Sequence, residues 1–103
     1  MTGTEKQIAW AEDIKTAPIR LCEANAARFK NTIPEEATLY QMIGNRYKTV
    51  IAQLEKKPDA ESAAWWINNR NNLPTVERIV YLVHTMQGHG KSQEDALKIV
   101  FGF

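Results

Sequence analysis

The run Gly88-His89-Gly90-Lys91-Ser92 ends like a phosphate-binding loop, in which backbone amides and a lysine cradle the phosphates of a nucleotide. The full pattern needs a further glycine five residues before Gly90, where Thr85 stands, and a strand leading into the loop, where the residues read as helix. A helix ending on glycine and a new helix starting at Ser92 account for the whole run. His84 and His89 are five apart with no cysteine or paired carboxylate at ligand spacing, and zinc needs three or four ligands, so no metal is expected. Cys22 has no local base to take its proton and reads as a small hydrophobe at the edge of a helical core. Glu35-Glu36 and Glu94-Asp95 fall in first helical turns, where the helix dipole favours negative charge without any chemistry. The sequence therefore nominates no catalytic residue and no cofactor, and a non-enzyme is expected.

Binding chemistry is left. Arg46, Lys48, Lys56 and Lys57 lie along one predicted helix and Arg70 follows the next. On phosphates these five would neutralise charge, which is the alternative function, a nucleic-acid-binding accessory. A nucleic-acid footprint is ordinarily a denser stripe on a basic domain, whereas this chain carries 13 basic and 12 acidic residues, a net +1. A solvated face is the plainer account. The helices flanking residues 71–74 imitate a helix-turn-helix in turn length, yet the second opens Pro74-Thr75-Val76-Glu77-Arg78, with one base and one acid.

The elements that must position these residues are helical throughout, because strand alternation never persists. A first helix opens at Thr4 and Glu5 and ends near Asn31, with Trp10, Ile14, Ala17 and Leu21 on one stripe and Glu12, Lys15, Thr16, Glu23 and Lys30 opposite. Pro18 removes a backbone donor, so a kink or break is expected near Ala17. Thr32-Ile33-Pro34-Glu35 has the spacing of a capping box with proline in the first turn. The helix it opens buries Leu39, Tyr40, Ile43, Tyr47, Val50, Ile51 and Leu54 and stops at Lys57-Pro58. Asp59 can cap a third helix through about Asn69, followed by turn residues 71–74. A fourth runs from about Pro74 to Gln87, burying Val76, Ile79, Val80, Val83 and Met86. Ser92 with Asp95 opens the last, which carries Leu97, Val100, Phe101 and Phe103. The sum is an all-α fold, a compact bundle of about five short amphipathic helices in one domain of 103 residues.

Ala63-Ala64-Trp65-Trp66-Ile67-Asn68-Asn69-Arg70 strains that picture. Neighbours on a helix diverge by about 100°, so Ala60, Ala63, Trp66 and Ile67 share a face while Trp65 points away among Glu61, Ser62 and Asn69. Either a second helix covers Trp65 or it is an exposed aromatic of the kind that anchors interfaces. With five helices at hand, cover is expected over exposure. Arg70 sits where it would bond helix-end carbonyls or stack on an indole. Tyr81 lies opposite the apolar centre of its helix, beside Arg78 and Thr85, and Ile8 and Ile19 fall off the first helix's stripe. These outliers imply either thorough burial or a surface for a partner or a homo-oligomer.

The remaining composition is ordinary for a globular chain, 44% hydrophobic and 24% charged. The opening residues lack the cationic and apolar regions of a signal peptide, and nothing approaches the roughly 18 apolar residues that span a bilayer. A lone cysteine fits a reducing, cytoplasmic location. Two blocks carry a likeness: Thr2-Gly3-Thr4-Glu5-Lys6-Gln7-Ile8-Ala9-Trp10-Ala11-Glu12-Asp13-Ile14-Lys15 and Ala64-Trp65-Trp66-Ile67-Asn68-Asn69-Arg70, 21 residues together. In this order they resemble a pattern of small, uncharacterised proteins of bacterial phages and mobile elements. The resemblance implies a genomic setting and assigns no functional residue. The expectation is a non-catalytic interaction module that binds a host or phage protein, inhibition of a bacterial defence nuclease being one concrete form. Trp65, Arg70, Tyr81 and Arg78 are its expected contact residues, with no membrane involved.

Overall fold

Thr4 fixes where the first helix begins: its hydroxyl accepts from the Gln7 amide at 3.1 Å, and the Gln7 carboxamide accepts from the Thr4 amide at 3.0 Å. This reciprocal pair satisfies donors that the first turn would otherwise leave open. The computed structural model describes residues 1–103 and places helix α1 at Glu5–Phe29. The break expected near Ala17 does not occur. Pro18 forgoes one bond, at a cost of about 3 kcal/mol, and helix α1 continues because its burying face extends on both sides of the proline, from Ala11 to Cys22 and Ala26.

Helix α2 spans Pro34–Glu55. The expected capping box at Thr32 does not form. Ile33 is the N-cap, without a side-chain bond, and its carbonyl accepts from the Glu36 and Ala37 amides. Pro34 takes the first helical position, where a missing N–H costs nothing, and this moves the start one residue past Thr32.

α1 and α2 form an antiparallel hairpin. Lys15 meets Glu55 at 2.9 Å, Lys48 meets Glu23 at 3.5 Å, and Phe29 stacks on Tyr40 with centroids 6.0 Å apart. Where they cross, a Cβ on Gly44 would come within 3.2 Å of the Cys22 Cβ. Small residues let the two backbones approach, and this sets the face of α1. Ile8, Ala11, Ile19, Cys22 and Ala26 face the core, while Trp10 and Leu21 are 48% and 44% exposed. The buried face is rotated by about 120° from the Trp10–Leu21 stripe. The two isoleucines that looked misplaced belong to it, and so does Lys15, expected on the solvated side.

The single third helix expected from Asp59 is divided. Pro58–Glu61 forms a 3-10 turn, Ser62 caps helix α3 at Ala63–Asn68, and Arg70–Asn72 forms another 3-10 turn. The division has a cause outside the segment. Thr2 pairs with it in parallel, its amide donating to the Glu61 carbonyl at 2.6 Å and its carbonyl accepting from the Ala63 amide at 2.8 Å. A continuous helix would need those groups for itself.

Helix α4, Val76–Gly88, is capped by the Thr75 hydroxyl, and helix α5, Gln93–Phe101, by that of Ser92. Two apolar clusters result. Leu39, Ile43 and Tyr47 of α2 pack with Ile79 and Val83 of α4 and Leu97 of α5 at one end. Ala11 and Ile51 pack with Ala60, Ala63 and Trp66 at the other. The molecule extends 45 × 27 × 18 Å, so the hairpin is a spine with a separate cover at each end. None of its helices is long and apolar enough to cross a membrane.

Candidate interaction site

A cleft of about 310 Å³ is lined by side chains of the hairpin, α3 and the turn that follows it. Ile14, Val50 and Leu54 form its apolar base, all half-exposed. Trp65, Trp66 and Leu73 make the walls, and Lys57, Asn69, Arg70 and Asn72 the polar part of the lining.

Trp66 is the fixed wall. It is 2% exposed, its indole N–H donates to the Ala60 carbonyl at 2.9 Å, and the Lys15 ammonium lies 5.2 Å from its ring centroid. Trp65 meets it edge to face with centroids 5.0 Å apart. Neither alternative expected for Trp65 holds alone: one side of the residue rests on its neighbour and the other is open, leaving it half-buried. Side-chain bonds hold the segment beyond α3. The Asn69 amide donates to the Trp65 carbonyl at 2.8 Å and that of Asn72 to the Asn69 carboxamide at 2.9 Å. Further on, the buried Tyr47 hydroxyl donates to the Pro74 carbonyl and ties the chain back to α2.

Arg70 performs both roles foreseen for it. One Nη donates to the Ile67 carbonyl, and the guanidinium lies 5.0 Å from the ring centroid of Trp10. The partner indole is that of Trp10, left outside by the rotation of α1. Trp10, Ile14, Lys15 and Lys57 are thus residues of this region that the sequence reading assigned elsewhere. The structure pairs residues 2–15 with residues 64–70: Lys15 lies over Trp66, and Trp10 under Arg70.

The four expected contact residues are divided between the cleft and helix α4. Trp65 and Arg70 line the cleft; Arg78 and Tyr81 are exposed on α4 and do not, Tyr81 being 62% exposed. The five basic residues are similarly dispersed. Arg46 is engaged with the Glu94 carboxylate at 2.9 Å and the Phe103 carbonyl at 3.2 Å, holding α5 to α2. Lys48 pairs with Glu23, Lys56 caps the end of α2, and only Lys57 and Arg70 meet in the cleft.

Groups with reactive side chains are placed apart. Burial, with the neighbouring Glu23 charge, pushes the Cys22 thiol up to about 11, so it stays protonated at neutral pH and is a poor nucleophile. His84 reaches the Glu36 carboxylate at 2.7 Å and links α4 to the start of α2. No three His, Cys, Asp or Glu residues are grouped to hold a metal ion. In the run 88–92, Gly88 ends α4, Gly90 takes a positive φ of 89°, and the Ser92 hydroxyl is occupied by the Asp95 amide. Comparison with protein-family models, with curated proteins and with solved structures returned no match.

Proposed function

We propose that this chain is a non-catalytic protein-interaction module that grips its partner through the cleft beside α3. One observation carries the reading: the Ile14, Val50 and Leu54 base stays half-exposed beside two tryptophans held by hydrogen bonds and packing. A rigid apolar recess with a polar rim is the usual form of an interface centre, because covering it releases water without first ordering the receptor. Trp10 and Arg70 extend the surface along α1. A host or phage protein as partner, and a bacterial defence nuclease as its concrete form, rest on the family likeness.

Capture from a bacterial lysate on the immobilised chain tests the reading. Ile14→Arg places a charge in the base and Trp65→Ala removes a wall; a protein captured by the unaltered chain should be lost with both variants and kept with Tyr81→Ala. Thermal melts of each variant establish that the fold persists. Capture indifferent to both cleft substitutions would refute the assignment of this surface.

A further inference from the structure

We infer that the occupant of the cleft is a short acidic segment of a partner protein, presenting one large apolar side chain flanked by carboxylates; this rests on the interaction-module reading above. The volume sets the first part. About 310 Å³ is roughly twice the 150 Å³ that holds one benzene ring, room for one large apolar side chain against Ile14, Leu54 and Trp65 together with the adjoining groups of its segment.

Charge sets the second part. Lys57 and Arg70 line the cleft and no carboxylate does. Four of the chain's 13 lysines and arginines are paired with carboxylates, Lys15 with Glu55, Arg20 with Asp13, Arg46 with Glu94 and Lys48 with Glu23, and of the rest it is Lys57 and Arg70 that line this cleft. Lys57 and Arg70 have none among the chain's ion pairs. Arg70 is moreover oriented in advance. The Ile67 carbonyl and the Trp10 ring hold its guanidinium, and the other N–H groups of its five-donor fork remain for a carboxylate. A fork already held in place gives up little freedom when it binds.

A nucleic-acid strand fits less well. Phosphate binding gains strength from a run of cations, and here there are two. A second recess nearby, which shares Lys15 with the Trp66 region, is lined by Glu12, Glu55 and Glu61. A polyanion longer than a few units would meet like charge there.

The probe is the blocked peptide acetyl-Asp-Glu-Phe-Glu-Asp-amide, titrated at low salt into the isotope-labelled full chain while the indole N–H and asparagine side-chain resonances are followed by NMR. Saturable shifts centred on Trp65 and Asn69 are expected. Replacing the peptide's phenylalanine by alanine should weaken binding at least about fivefold, and Lys57→Glu in the protein, an exposed site, about tenfold. Equal binding of acetyl-Lys-Lys-Phe-Lys-Lys-amide, indifference to Lys57→Glu, or no saturable shift overturns the inference. So does tighter binding of a thymidine oligonucleotide, or dilution-dependent shifts that mark a second copy of the chain in the cleft. Peptide failure with cleft-dependent capture intact removes the acidic occupant alone. Capture insensitive to Ile14→Arg and Trp65→Ala removes the functional reading and this inference with it.

Discussion

Exchanging size at two adjacent positions of α1, Trp10→Ala and Ala11→Leu, tests which way the helix faces. Ala11 is fully buried among Ile51, Ala60, Ala63 and Trp66, with no room for three more carbons. Leucine is nearly as good a helix former as alanine, so the cost of Ala11→Leu is overpacking, about 1–3 kcal/mol. Trp10 is 48% exposed, and its specific contact is with the Arg70 guanidinium. An exposed cation–π pair is worth about 0.5–1 kcal/mol, and alanine returns a few tenths through helix propensity, so Trp10→Ala should stay within about 1 kcal/mol of the unaltered chain. In a domain of this size 1 kcal/mol moves Tm by about 4–8 °C. Ala11→Leu should therefore melt about 4–24 °C lower and Trp10→Ala no more than about 8 °C lower, read by far-ultraviolet circular dichroism and checked against urea midpoints. A face centred on Trp10, Ile14, Ala17 and Leu21 requires the reverse, a loss of about 3–5 kcal/mol for Trp10→Ala and little effect of Ala11→Leu. That reversed order would refute the rotation and remove Trp10 from the surface.

Two further perturbations probe the walls and the hairpin. Trp66→Ala should cost about 3–5 kcal/mol, and Trp66→Phe, which keeps an aromatic ring but loses part of its volume and leaves the buried Ala60 carbonyl without its donor, at least about 1–3 kcal/mol; urea unfolding that leaves Trp66→Phe equal to the unaltered chain would show that the indole bond contributes nothing. Stability should also decline in alkali. Burial holds the Cys22 thiol at about 11 against its ordinary 9.0 and raises the Tyr47 hydroxyl in the same direction. A raised pKa favours the neutral thiol in the folded state. Its contribution is thus complete below pH 9 and is lost as pH rises through about 11, on the order of 2–3 kcal/mol. Cys22→Ala should flatten part of that decline in urea midpoint, and parallel curves for the two proteins would contradict it.

Elements with local signals were legible in the sequence. The caps at Thr4 and Ser92 are side-chain-to-backbone bonds within four residues, written in the residue types themselves, and they form as the spacing implies. The face of α1 was not legible, because amphipathic reasoning weights large side chains, and this hairpin closes through small ones. Gly44 opposite Cys22 demands close approach, which places Ala11 and Ala26 inward and leaves Trp10 and Leu21 on the flank. The divided third helix was hidden for a different reason: its terminating partner, Thr2, lies 60 residues away in sequence from Ser62, and no local pattern records such a pairing.

Those two illegible features together make the cleft. Had α1 presented Trp10 and Leu21 to the core, Ile14 would lie among buried residues and could not form the base of an open recess. Had residues 59–69 formed one straight helix, the backbone would keep Ala60's carbonyl for its own ladder, and the indole of Trp66 would lack the bond that now fixes it. The Thr2 pairing divides the helix, the division frees that carbonyl, and Trp66 is locked with Trp65 against its edge. The opening residues, far from the cleft in sequence, therefore act on its shape. Truncating Thr2 and Gly3 should loosen Trp66 before it unfolds the distant cluster around Leu39 and Ile79, so hydrogen exchange should rise first across α3.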